Sequence, residues 1–271
     1  MRGKLINLSV PKVMGILNVT PDSFFDGNRY TDVSQALKQT EKMIEEGAAF
    51  IDIGGYSSRP GATDISPEEE LKRVIPVIKS ISKSFPEIAI SIDTFRAAVA
   101  KAAVEVGAGL INDISGGELD LQLFQTVSEL QVPYVLTHMR GTPETMTQLN
   151  QYENLIKEVI DYFHQKVHQL QNMGVKDIII DPGFGFAKNI DQNFELLNHL
   201  DYLKILGKPI LAGLSRKSMI WKSLKINLED ALNGTTSLNT VALLKGASIL
   251  RVHDVKEAVE TIKLMEKVKI G

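Results

Sequence analysis

The chain has 271 residues, 44% of them apolar, with a formal net charge of −3 and a sequence pI of about 6.0. That apolar fraction supports a large core and excludes a disordered chain, and the charge balance gives no electrostatic reason for a nucleic-acid partner. The complete lack of cysteine excludes disulfides, thiolate zinc sites and cysteine nucleophiles.

In chain order, the first predicted strand covers 12–18 and is followed by a helix near 32–47. Strands near 49–54, 88–93 and 109–114 alternate with helices near 67–84, 95–106 and 119–130. The second half repeats the pattern, with strands near 133–138, 177–182, 208–214 and 248–253 and helices near 151–173, 191–205, 228–246 and 255–268. Eight such alternations predict one α/β domain over 1–271, a closed (β/α)8 TIM barrel; an open doubly wound sheet is the structural alternative. Ser66-Pro67-Glu68-Glu69 reads as a helix start, with an N-cap Ser and Pro at the first helical position. Thr94 reads as the cap of the third helix, and Gly47, Gly107 and Gly174 stand where helices end. No apolar run approaches the roughly 18 residues of a membrane span. The opening MRGKLINLSVPK has no apolar stretch of signal-peptide length. The expectation is a cytoplasmic enzyme acting on small molecules, with no nucleic-acid or membrane partner.

The strand candidates end one after another in polar residues: Asn18, Asp93, Asp113, His138, Asp181 and His253. Burying charge costs several kcal/mol unless it is paired, whereas the C-terminal strand ends of a barrel form the mouth where catalysis happens. Asp93, Asn112 and Asp181 would offer two carboxylates and an amide at one depth. Such a set suits a flat heterocycle bearing several N–H groups, because a carboxylate accepts two parallel donors strongly and directionally. Lys217 follows the seventh strand in LSRKS. Arg251 and His253 are two apart on the eighth strand, so they should share a face near the phosphate-binding end of barrels. Arg59 lies in a Gly/Pro-rich connection from which it would reach the same place. Connections 19–31, 54–66 and 139–150 are long enough to be functional, and the first two have the composition of mobile lids.

Other patterns carry no chemistry. His164 and His168 lie four apart in HQKVH, which lacks the glutamate of a zinc-protease helix, so they read as a solvated face. GFGF at 183–186 lacks dinucleotide-fingerprint spacing. GLSRK at 213–217 is neither a nucleophile elbow nor a P-loop.

Seven segments, in order, resemble the dihydropteroate synthase family. They are MGILNVTPDSF at 14–24, DIGG with SRPGA across 52–62, SIDT at 91–94, INDISGG at 111–117, DPGFGFAK at 181–188, GLSRKS at 213–218 and RVHDV at 251–255. The resemblance covers nearly the whole chain. It implies a transferase that condenses 6-hydroxymethyl-7,8-dihydropterin diphosphate with 4-aminobenzoate, releasing diphosphate. Asp93, Asn112, Asp181 and Lys217 would then grip the pterin, with Met139 and Phe186 as apolar contacts. Asn18, Arg59, Arg251 and His253 would hold the diphosphate, and Asn18 would help to place Mg2+. Ser215 and the start of the next helix would receive the aminobenzoate carboxylate, alongside Ser58. Carbon–oxygen cleavage would leave a cationic methylene, stabilised chiefly by Asp93 with help from Asp22 and Asp26 in the first lid, whose closure would also exclude water. A homodimer and inhibition by sulfonamides also follow from the resemblance.

Three positions depart from the family pattern as it usually reads. Tyr56 replaces an acid, Ser58 replaces a threonine expected at the aminobenzoate, and Phe25 stands where a small residue is common. All three bear on the aminobenzoate pocket and leave the pterin and diphosphate residues intact. A pterin-binding methyltransferase that serves a corrinoid protein would share the barrel and the pterin residues. It would have no need for Arg59, Arg251 and His253 together. An inactive pterin-binding paralogue would show lost clamp residues, and none is lost.

Overall fold

The computed structural model describes residues 5–19, 33–56 and 64–269. The lid candidates Asp22, Phe25, Asp26, Ser58 and Arg59 lie outside the described residues. The first half of the chain alternates β1 (Lys12–Asn18), α1 (Val33–Glu45), β2 (Phe50–Gly54), α2 (Pro67–Ser84), β3 (Ala89–Asp93), α3 (Ala97–Val106), β4 (Leu110–Asp113) and α4 (Leu123–Leu130). The second half continues with β5 (Tyr134–Thr137), α5 (Leu155–Asn172), β6 (Ile178–Asp181), α6 (Ile190–Asn198), β7 (Leu211–Ala212), α7 (Ser218–Leu224), α8 (Leu232–Leu244), β8 (Ile249–Val252) and α9 (Val255–Lys269).

All eight strands are parallel, and β1 pairs with both β2 and β8. The remaining seam, between β6 and β7, is bridged by Ile180 and Ile210, and the Ile180 N–H donates to the Pro209 carbonyl at 2.9 Å. The sheet is therefore a closed (β/α)8 barrel, as the alternation predicts, and the open-sheet alternative is excluded.

Several boundaries differ from the sequence reading. The seventh strand shrinks to two residues, flanked by Pro209, which has no N–H to give a ladder, and Gly213. The helix expected over 191–205 breaks after Asn198 and continues as a 3-10 turn, Leu200–Leu206, ended by Gly207 at φ +61°. Short α7 and the 3-10 turn Met146–Gln148 were not predicted, because seven and three residues carry too little periodicity to detect. Ser66 does cap α2, accepting from the Glu69 N–H at 3.2 Å. Thr94 does not cap α3: the helix starts at Ala97, whose N–H is taken by Asp120 Oδ2 at 2.8 Å, while Thr94 Oγ1 accepts from the Arg96 N–H. Phe95 and Arg96 turn away first, so the orphan donors of the helix are met from a neighbouring loop.

The interior follows from the two-residue period of strands. Met14, Phe50, Leu110, Val135, Ile179, Leu211 and Ile249 form one buried apolar layer, with Ile6 and Leu8 of the leading segment packed against it. Two residues further along their strands stand Ile16, Asp52, Asn112, Thr137, Asp181, Gly213 and Arg251, of which Ile16 alone is a large apolar side chain. The same inward face is thus apolar below and polar above. Alternate residues such as Ile51, Ile53, Ile111 and Ile180 belong to the larger core beneath the helices. Among the described residues no helix is long and apolar enough to cross a membrane.

Phe50 is among the largest fully buried side chains, and it sits in the layer that carries the polar site. Phe50→Ala is expected to lower unfolding stability by about 3–5 kcal/mol, read from urea titrations followed by circular dichroism. A loss below about 1 kcal/mol would mean that the layer can collapse to fill the gap.

Candidate active site

The polar layer is organised by Arg251. Its Nε–H donates to Asp52 Oδ2 at 2.6 Å and its Nη2–H to Asp93 Oδ2 at 2.5 Å. Asp52 Oδ2 also accepts from the Asn112 amide at 2.9 Å. Asp52 is completely buried, so a single carboxylate fixes both the guanidinium and the amide from below. The sequence reading passed over Asp52, although the motif DIGG contains it. The available signal was register: Asp52 stands two residues after inward-facing Phe50.

Burial pushes the Asp93 carboxyl up to about 7; the Arg251 charge opposes that shift and Asp52 adds to it. Burial also disfavours charge on Arg251, but Asp52 and Asp93 overcome it and hold the guanidinium above its ordinary value. Asp181 lies opposite on β6. Burial raises its carboxyl, while the Gly183 N–H, donating to Oδ1 at 2.8 Å, and the charges of Lys217 and Arg251 pull it down.

Lys217 reaches this space from the connection after β7. Its ammonium stands 4.5 Å from the centre of the Phe186 ring, a cation–π contact, and its stem packs against the bare face of Gly185. Asp93, Asn112, Asp181, Phe186, Lys217 and Arg251 line one cleft, so the structure brings six of the predicted residues together. Met139 is not on that lining; it packs behind Phe186 with Met146 and Ala187. Asn18 closes β1 beside Gly54 and Asp93.

Ser215 and His253 form a second group at the rim. The Ser215 hydroxyl lies 3.0 Å from His253 Nδ1 and accepts from the His253 N–H at 3.2 Å. Arg216 between them adopts φ +55° and makes a forked pair with Asp254 at 2.6 and 3.0 Å. The connections after β7 and β8 are thereby tied together. Arg251 is drawn down to the carboxylates, whereas His253, just past the end of β8, stays with Ser215 and is not on the cleft lining. The two therefore do not stand together as their spacing suggested.

Arg96 braces the base of the second lid. It donates to the Ile65 carbonyl at 2.6 Å, pairs with Glu70 at 2.7 Å and lies over the rings of Tyr56 and Phe95. Tyr56, one of the departures from the family pattern, meets Phe95 edge to face at 5.1 Å. The remaining strand-end residues serve structure. Asp113 accepts from Ser115, Gly117 and the Tyr134 hydroxyl, and His138 is buried among aromatic rings. His164 and His168 are exposed, as read from the sequence.

The arrangement can hold a flat donor-rich molecule against Asp93, Asn112 and Asp181, with cationic groups beside it. Comparison with known proteins points the same way. A family model described as pterin binding enzyme matches residues 14–253. A dihydropteroate synthase of Escherichia coli strain K12 is 42% identical over 98% of this chain and 94% of its own length. The crystal structure of the Yersinia pestis dihydropteroate synthase in a sulfonamide drug complex superposes with a TM-score of 0.95 at 39% identity, covering 100% of this chain and 98% of that one. The Xanthomonas albilineans enzyme with 4-aminobenzoic acid gives a TM-score of 0.92 at 40% identity, over 99% and 96% of the two chains. The matched span, the full-length identity and the shared barrel together establish that this chain belongs to the dihydropteroate synthase family of pterin-binding enzymes.

Proposed function

We propose that this chain condenses 6-hydroxymethyl-7,8-dihydropterin diphosphate with 4-aminobenzoate to give 7,8-dihydropteroate and diphosphate. The observation that carries the reading is the convergence of two carboxylates, an amide and two cations from five separate segments on one cleft. Asp181 would accept the paired N–H groups of the pterin's guanidine-like edge, with Gly183 N–H holding its other face. Asp93 and Asn112 would meet the ring from the opposite wall, and Lys217 would lie along it above Phe186.

Asn18 offers a hard oxygen donor. A Cβ built on Gly54 would stand 3.6 Å from both Asn18 Oδ1 and Asp93 Oδ2, so the bare glycine leaves open ground between two oxygens. Among the described residues no group of three or more His, Cys, Asp or Glu could hold a metal by itself. That donor set fits Mg2+, which takes few protein oxygens and fills its shell with water and phosphate. Asn18 would hold the ion, which when bound supplies positive charge to the diphosphate oxygens.

Chemistry then follows from charge. Cleavage of the carbon–oxygen bond places negative charge on the leaving diphosphate, which Arg251, His253 and Arg59 would stabilise as it grows. The methylene left behind is cationic, and Asp93 in its ionised form would stabilise it. Ser215 and the N-terminus of α7 would orient the aminobenzoate carboxylate, leaving its weakly basic amine to attack without a strong general base. Asp22 and Asp26 on the first lid would help Asp93 to stabilise the cationic methylene, Ser58 on the second would meet the aminobenzoate, and lid closure would keep water out. Sulfonamides, as mimics of aminobenzoate, would compete there, with Phe25 and Tyr56 setting their affinity. A homodimer in the cytoplasm also belongs to this reading. Its support is the exposed apolar surface of Leu224 and Leu244, and a light-scattering mass near 29.9 kDa would refute it.

The direct test is product formation by purified protein, with and without aminobenzoate and Mg2+. We expect aminobenzoate-dependent dihydropteroate with diphosphate release, abolished by chelation and restored by Mg2+. Pterin binding without product would instead favour methyl transfer or an inactive paralogue. Asp181→Ala and Lys217→Ala are expected to raise the KM for pterin diphosphate by about tenfold or more. Arg251→Ala should lower kcat as well, and unchanged constants in all three would overturn the pocket assignment.

The Asp93 carboxyl, held near 7 against an ordinary 3.8, also has a signature in stability. Between those values the folded protein keeps a proton that the unfolded chain has lost. Stability due to this group therefore falls as pH rises from about 4 to about 7 and is level beyond. Relative to wild type, Asp93→Asn should be more favourable at pH 8 than at pH 5 in urea unfolding. An equal difference at the two pH values would show that Asp93 ionises as an ordinary carboxylate.

A further inference from the structure

Lys188 has no role assigned above and His138 only a structural one, yet both are almost wholly enclosed, at 8% and 1% exposure. The Lys188 ammonium has three partners: His138 Nδ1 at 3.0 Å, the Gly183 carbonyl at 3.1 Å and the Phe186 carbonyl at 3.0 Å. The two carbonyls belong to the connection from β6 to α6, and His138 follows β5. That connection is conformationally expensive. Gly183, Gly185 and Ala187 all have positive φ, at +69°, +83° and +50°, and Ala187 has no glycine freedom to excuse it. Its backbone also runs against β5, for a Cβ on Gly183 would meet the His138 carbonyl oxygen at 2.1 Å. Within the segment the Phe186 N–H donates to the Gly183 carbonyl at 3.0 Å, and Asn193 and Tyr152 hold Gly185 and Ala187 from the α6 and α5 sides. Among these ties Lys188 is the one that joins the segment's beginning to its end and both to the β5 terminus.

What the segment presents is the pterin wall. Gly183 N–H holds Asp181 Oδ1, Phe186 lies under the Lys217 ammonium, and Gly185 packs on the Lys217 stem. We propose that Lys188, seated on His138, is a positioning residue for the pterin half of the site, fixing the loop that aims Asp181 and Lys217. This rests on the pterin reading of those two residues. The tie does not depend on one charge state. Burial, opposed by Asp181 and assisted by Arg140 and Lys217, brings the Lys188 ammonium down to about 7, and burial also keeps His138 neutral. An ammonium donates to all three acceptors. A neutral amine still donates to both carbonyls and accepts from His138 once the imidazole proton sits on Nδ1.

The test compares Lys188→Met, His138→Leu and His138→Asn. The two histidine variants lose the same ring from the aromatic cluster, but Asn keeps a hydrogen-bonding atom near the Nδ1 position and Leu does not. KM is measured for each substrate at saturating levels of the other, together with Tm. Lys188→Met should raise the KM for pterin diphosphate by about tenfold or more and move that for aminobenzoate by less than about threefold. His138→Leu should raise the pterin diphosphate KM clearly above that of His138→Asn, although both lower Tm alike. Equal changes on both substrates, or Leu and Asn variants that cannot be told apart, would overturn the proposal. If Lys188→Met does not fold, the histidine pair decides alone. If wild type makes no dihydropteroate, the assigned reaction fails separately. The same variants are then compared by calorimetric binding of 6-hydroxymethylpterin, where equal affinity in the Leu and Asn variants again overturns the positioning role.

Discussion

A guanidinium placed inside a barrel must be paired, and the rest of the site is arranged around that requirement. Asp52 and Asp93 meet Arg251 from two neighbouring strands, and Asp52 spends the same oxygen on the Asn112 amide. Removing either partner would leave a charge in a space where uncompensated charge is expensive. The geometry of the ligand-facing atoms is thus enforced by electrostatics from beneath, before any substrate contact. It also sets a carboxylate and a cation side by side on the lining of the cleft.

That charged layer needs a dry floor. The floor is the ring of Met14, Phe50, Leu110, Val135, Ile179, Leu211 and Ile249, closed from below by Ile6 and Leu8. Packing fixes the height of every polar residue two positions further on, because the strand repeat admits no intermediate setting. Precision at the mouth is therefore inherited from apolar packing at the centre.

Above the strands, the loops are held by polar ties that run between neighbours. Ser215 with His253 and Arg216 with Asp254 join the connections after β7 and β8. Lys188 joins the connection after β6 to the end of β5, and Arg96 gathers both ends of the segment after β2. The lysine and arginine ties set a cation against backbone carbonyls or a carboxylate, whereas Ser215 and His253 use a hydroxyl. Left-handed backbone at Gly183, Ala187 and Arg216 stays in place because these ties over-determine it.

The sequence by itself determined the barrel, since eight apolar runs ending in polar residues and separated by helical periods have few other ways to bury their surface. It also determined most of the cleft, because Asp93, Asn112, Asp181 and Arg251 stand at strand ends where a stability argument for them fails. Tertiary structure alone decided who pairs with whom. Asp52, inside the predicted second strand, had no assigned partner until β2 and β8 came together around β1, across 199 positions of chain. Lys188 carried no reading of its own until the connection after β6 folded back on it, and Thr94 read as a cap until Asp120 reached the helix first. Local propensity and period are written in neighbouring residues, whereas the pairing of buried charge depends on distances that exist only after the chain has closed.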